Sequence, residues 1–268
     1  MVTINSNYAA SFAANAAKQT QADLNGAMEK LSTGKRINFA KDDAAGSAIA
    51  MRLTAEISGL AVSSRNASDG QALIDTADGA LKESHSLLIR MRELAVQAQN
   101  GTLQAADKTA LGLEFDALEA EITRISDSTS WAGQKILNGT FTSASQLSLR
   151  VGDSDITHAI TDMDAAALGF TASHTVAQAS AIAVVDAAIT KVSDERAKLG
   201  AVSNRLDSTV TNLDQIRVNL AASKGRIEDA DFAQETGNLA KGQILQQAAT
   251  AMLAQANASK QTVLTLIR

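Results

Sequence analysis

Apolar residues recur at steps of three, four and seven along two long stretches of this chain, and none of its 268 residues is proline. The first stretch carries Leu53, Ile57, Leu60, Ala67, Ile74, Ala77, Leu81, Leu88, Met91, Ala95 and Ala98. The second carries Ile182, Val185, Ile189, Val192, Leu199, Val202, Leu206, Val210, Leu213, Ile216 and Leu220, with Arg196 at one position of the stripe. Such spacing keeps one face of a helix apolar over many turns. Proline would remove a backbone donor and kink the helix, and here nothing forces a break. At ~1.5 Å per residue, a helix over 43–99 would run about 85 Å, and one over 182–222 about 60 Å. Between them, Leu111, Phe115, Leu118, Ile122 and Ile125 form a third stripe. Asn100-Gly101 stops the helix before it, so this third helix should fold back antiparallel.

Composition agrees. Hydrophobic residues make up 45% but aromatics only 3%, with one Trp and one Tyr. A centre filled by large rings is not available. Small side chains suit helices lying close together. The expected fold class is mostly α: an elongated antiparallel helical bundle or coiled coil with a small β-hairpin region at mid-chain. The hairpin falls in 141–180, where Leu147, Leu149 and Val151 alternate with polar residues before Gly152-Asp153, Ile156 and Ile160. A loop of several residues is expected to join its strands. Thr161 to Ser180 has weak patterning and is expected to be exposed. Ser32-Thr33-Gly34 and Ser223-Lys224-Gly225 read as interruptions between helices.

The two ends carry a different message. Residues 1–17 hold no Asp, Glu, Lys or Arg, and neither does the stretch between Lys241 and Lys260. A lone helix in water needs a polar face opposite its apolar stripe. These ends have only a thin one, yet they are too rich in Gln and Asn to span a membrane. The economical solution is that other protein surrounds them, as in a subunit packed against copies of itself. Ile4, Tyr8, Phe12, Leu24 and Leu31 at one end are the expected interface residues. Ile244, Leu245, Met252, Leu253, Val263, Leu264 and Leu266 are their counterparts at the other. A chain that runs out and returns as antiparallel helices would bring both ends together.

Several function classes fall away. Net charge is −5 and no aromatic stacking platform interleaves the basic residues, so nucleic acid is not an expected partner. The chain has no Cys, which excludes disulfides, thiol catalysis and thiolate metal sites. His85, His158 and His174 stand far apart, without an H-E-x-x-H frame. Asp153, Asp155, Asp162 and Asp164 do not follow EF-hand spacing. No catalytic triad order or Gly-rich phosphate loop stands in frame. An enzyme, a cofactor and a metal are all unexpected, as is membrane insertion. Met1-Val2-Thr3-Ile4-Asn5 lacks a basic n-region and an apolar h-region, so export would proceed without a cleaved signal peptide.

An ordered set of motifs then resembles bacterial flagellin. It begins with Leu31-Ser32-Thr33-Gly34-Lys35-Arg36-Ile37-Asn38 and Ala40-Lys41-Asp42-Asp43-Ala44-Ala45-Gly46. Arg65-Asn66-Ala67-Ser68-Asp69-Gly70 and Arg92-Glu93-Leu94-Ala95-Val96-Gln97-Ala98 follow. Ile227-Glu228-Asp229-Ala230-Asp231-Phe232 and Gln243-Ile244-Leu245-Gln246-Gln247-Ala248 complete the set. The resemblance covers about 1–140 and 182–268, with only a short middle region, as in a minimal flagellin. It implies a discontinuous filament-core domain of residues 1–40 and 233–268. It also implies an elongated helical domain, 41–232, with the hairpin insert at about 141–180. The implied role is a structural subunit that self-assembles into the helical flagellar filament used for motility, located outside the cell. The alternative is a hook–filament junction protein, which shares related terminal domains. Further implied partners are a flagellar export chaperone and the cap and hook-junction proteins. Arg90, Leu94 and Glu114 match positions that contact Toll-like receptor five in recognised flagellins, although Ile89 and Met91 depart from that pattern.

Overall fold

The computed structural model describes residues 6–140, 147–151, 154–170, 176 and 180–266. Helices dominate: α1 is Tyr8–Thr33, α2 Ala44–Ala98 and α3 Ala105–Ser128. A short α4, Ala165–Leu168, precedes α5, Ala181–Glu228, and α6, Phe232–Leu266. Two small antiparallel hairpins lie between α3 and α4: β1, Ser130–Trp131, with β2, Gln134–Lys135, and β3, Leu147–Val151, with β4, Ser154–His158. The fold is mostly α with a hairpin at mid-chain, as the periodicity requires. Ile4 and the Gly152-Asp153 pair lie outside the described residues.

Local chemistry sets the helix ends. The Asn7 side chain accepts from Ala10 N at 3.1 Å and caps α1. Gly34 ends that helix with φ 70°, a left-handed conformation that glycine adopts without a Cβ penalty, and donates to Lys30 O at 2.9 Å. Asp43 Oδ1 accepts from Gly46 N at 2.8 Å at the start of α2. Asp42 Oδ2 accepts from Phe39 N at 2.9 Å and Asn38 N at 3.2 Å. The Phe39 amide leads the causes that hold the Asp42 carboxyl below its ordinary value. Asp231 Oδ1 accepts from Ala233 N and Gln234 N at 2.9 and 3.2 Å and opens α6.

Two compact units result: residues 1–57 with 219–268, and residues 58–218. In the first, α1 and α6 pack together as an antiparallel pair. Lys30 meets Glu235 at 3.4 Å, Leu24 lies beside Gly242, and Asn7 Nδ2 donates to Ala256 O at 3.3 Å. A Cβ at Gly242 would meet Leu24 at 3.5 Å, an ordinary packing distance. Below the pair, Gly34 O accepts from Ala230 N at 3.0 Å and Arg36 N donates to Glu228 O at 2.7 Å.

The second unit holds the large apolar core. Ion pairs and polar contacts fix α2 against α5 in antiparallel order: Arg92 with Asp186 at 2.6 Å, Asp78 with Arg196 at 2.7 Å, Ser64 with Asp214 at 3.5 Å. Leu81, Leu88 and Met91 of α2, Phe115 and Ile122 of α3, and Val185, Val192 and Leu199 of α5 are fully buried together. Arg196, the polar residue on the α5 stripe, points to Asp78 instead of into this core.

Three expectations are corrected. Among the described residues of 161–180 the segment is not simply exposed: Met163, Leu168, Phe170 and Val176 are buried. Its apolar residues come from irregular backbone and one helical turn, so no repeat announces them. Phe170 sits edge-on to Phe115 with ring centroids 6.1 Å apart. Second, Val151 pairs with Ser154, which leaves two positions between the strands where several were expected. The alternation simply runs closer to the reversal. Third, α5 runs through Ser223-Lys224-Gly225 to Glu228. Ser223 Oγ donates to Asn219 O at 2.9 Å and Lys224 pairs with Glu228 one turn on. One glycine costs a helix only ~1 kcal/mol relative to Ala.

Candidate assembly interface

An open groove of about 430 Å³ runs between α1 and α6, lined by Ala9, Ala13 and Ala16 of one helix and Ala248, Ala249 and Ala256 of the other. Leu24 and Leu253 are half-buried in the pair, whereas other large apolar residues of these helices stay outside it. Phe12, Leu245 and Met252 flank the groove, and Phe12 is 79% exposed. Tyr8 and Ile244 are also exposed. Among the buried residues of α1 only Ala13 and Ala27 appear. The pair thus displays Phe, Tyr, Leu, Ile and Met side chains as exposed apolar surface.

Of the predicted residues, Tyr8, Phe12, Ile244, Leu245 and Met252 are exposed on this pair, and Leu24, Leu31 and Leu253 are half-buried. Val263, Leu264 and Leu266 belong to the last turns of α6, and their side chains lie outside the described residues, as does Ile4. Sequence reasoning missed Met28, Phe39, Met51 and Phe232, which are exposed apolar residues of the same unit. Phe39 stands outside the helices and Phe232 opens α6, where no stripe could single them out.

Charge gathers at the base of the pair. Lys35 Nζ lies 2.6 Å from Glu228, which also meets Lys224 at 3.5 Å. The Lys35 hydrogen bond, first among the causes, holds the Glu228 carboxyl below its ordinary value. Buried Glu235 accepts from Lys30 and, at 3.1 Å, from Asn238 Nδ2.

The second candidate patch lies on the other unit. Arg90 bridges Glu93 at 3.0 Å and Glu114 at 2.8 Å, all three exposed. Leu94 is fully buried, because it shares the inward stripe with Met91 and Ala98. A partner on this face meets Arg90 and Glu114 but not Leu94. Among the described residues, no group of three or more His, Asp or Glu could hold a metal ion, and no helix is long and apolar enough to cross a membrane.

Comparison with known proteins matches both helical regions. Residues 4–142 fit the bacterial flagellin N-terminal helical region, and residues 182–267 the bacterial flagellin C-terminal helical region. A flagellin of Halalkalibacterium halodurans is 45% identical over 252 residues, covering 90% of this chain and 91% of that protein. A flagellin of Bacillus subtilis is 40% identical, covering 99% of both chains. The crystal structure of Bacillus cereus flagellin aligns with a TM-score of 0.50 and 32% identity, covering 60% of this chain and 94% of that one. The chain belongs to the bacterial flagellin family, in a short form, and is a structural subunit of the extracellular flagellar filament, not an enzyme.

Proposed function

We propose that the filament is held at its core by the apolar flanks of α1 and α6, with residues 1–40 and 233–268 as the core domain and 41–232 as the surrounding one. The observation that carries this is the alanine groove flanked by exposed Phe12, Leu245 and Met252. Tyr8, Leu24, Leu31, Ile244, Leu253, Val263, Leu264 and Leu266 extend the same apolar set along both helices, and Ile4 precedes α1 in the sequence. Fully burying one large apolar side chain is worth ~1.5–3 kcal/mol, and a handful per subunit offsets the ordering of two helices. Because one face meets a different face of the next copy, the contacts generate an open helix instead of a closed ring. Polymerisation of purified subunits tests this. Phe12→Asp and Leu245→Asp should each block growth of long filaments while leaving the melting of the 58–218 unit unchanged. Normal filaments from both variants would overturn the assignment.

The same apolar display on α6 supports an export chaperone that covers Ile244, Leu245 and Met252 before assembly, with cap and hook-junction proteins meeting the filament ends. Export leaves the N-terminus uncleaved, which N-terminal sequencing of filaments would check. The exposed Arg90–Glu114 pair supports contact with Toll-like receptor five. Reporter cells should respond to the wild type and less to Arg90→Ala and Glu114→Ala; silence towards the wild type would dismiss that contact.

A further inference from the structure

The methionines divide sharply between the two units. Met91 and Met163 belong to the buried core of the 58–218 unit. Met28, Met51 and Met252 are 51, 69 and 64% exposed, and all three lie in the unit that contains α1 and α6. With no Cys in the chain, these thioethers are its most oxidisable exposed side chains. Met252 flanks the alanine groove, and Met51 borders a separate cavity of about 250 Å³ with Ile37 and Thr54.

We propose that Met252 is a peroxide-modification site that controls whether the free subunit can assemble, with Met28 and Met51 as exposed thioethers oxidised alongside it; the inference rests on the assembly reading above. A thioether sulfur attacks one oxygen of hydrogen peroxide. The S–O bond forms as the O–O bond breaks, and the departing hydroxide takes up the remaining proton as water. The sulfur is oxidised by two electrons and the peroxide is reduced. The sulfoxide is a strong acceptor in place of an apolar group. Beside Met252 the groove is lined mostly by apolar side chains, with Gln255 the amide-bearing residue among them. The hydroxyls of Thr20 and Ser259 already donate to Ala16 O at 2.8 Å and Ala256 O at 2.9 Å in their own helices. Burying an acceptor without a donor disfavours the contact, whereas the free subunit keeps its sulfoxides in water.

The test treats unassembled protein with dilute hydrogen peroxide, maps oxidation by peptide mass spectrometry and measures the critical concentration for polymerisation. Met28, Met51 and Met252 should oxidise well before Met91 and Met163. The critical concentration should rise about tenfold, the size expected for one unsatisfied acceptor buried per contact. Methionine sulfoxide reductase should reverse the rise. Met252→Leu, compared before and after treatment, should lose most of it, whatever its own starting value. Complete oxidation at Met252 with an unchanged critical concentration would overturn the inference and leave the assembly reading intact. So would equal oxidation rates at Met91 and Met252. Untreated subunits in which Phe12→Asp and Leu245→Asp assemble normally would instead remove the assembly reading, and the inference with it.

Discussion

The buried carboxylate of Glu195 accepts hydrogen bonds from both the backbone N–H and the hydroxyl of Thr161, at 3.2 and 3.0 Å. Lys198 Nζ donates to the same group at 3.3 Å, and His158 Nε2 lies 3.4 Å from it. One side chain of α5 thereby fixes the end of β4 and the segment that follows. Glu195→Ala removes the acceptor and leaves the Thr161 N–H and hydroxyl without this partner. We expect a loss of about 1–2 kcal/mol, read as a lower urea midpoint for the 58–218 unit. An unchanged midpoint would mean that apolar contacts alone hold the segment.

Phe115 anchors the same segment from α3 through its edge-on contact with Phe170. Phe115→Ala should cost about 3–5 kcal/mol, since truncation leaves a cavity that packed helices fill poorly. Near-ultraviolet dichroism and thermal melting should both report it. Phe115→Leu should recover much of the loss by refilling the volume. A variant that melts like the wild type would show the pair to be peripheral.

Acid should loosen the base of the α1–α6 pair. Glu228 has a folded pKa below its ordinary value of 4.5, principally because Lys35 donates to it. Its contribution is present above that ordinary value and is lost as pH falls through the depressed one. Hydrogen exchange in residues 30–36 and 224–231 should therefore quicken below about pH 4.5. Lys35→Met removes the main cause, so the acid sensitivity of this region should shrink. A pH profile identical in the variant would count against the clasp.

Gly139 holds φ 74°, and a Cβ placed there would sit 2.8 Å from Asp162 Oδ2. Asp162 is not free to yield, because its other oxygen accepts from Asp164 N at 3.1 Å. Gly139→Ala should cost about 1–2 kcal/mol, combining the left-handed penalty with the crowding. Gly101→Ala meets open space and gives the control. Equal melting temperatures for the two variants would refute the difference.

The sequence by itself determined the helices and the character of the ends. Apolar residues stepping by three and four commit α2, α3 and α5 to helix and choose their inward faces, because that periodicity is a property of the local backbone. The charge-free stretches mark α1 and α6 as surfaces that want protein around them, because the cost of exposing an apolar face needs no partner to be known. Only the tertiary structure decided that Glu195 is buried, that Phe170 reaches Phe115 and that Leu94 turns inward beneath Arg90. It also decided that Ala13 and Gly242 are buried in the α1–α6 pair while Phe12 and Met252 stay outside. Each of these depends on which residues from distant parts of the chain arrive at the same place. The Glu195 carboxylate becomes a staple only when Thr161, from the segment after β4, reaches it, and no spacing along one helix encodes that meeting.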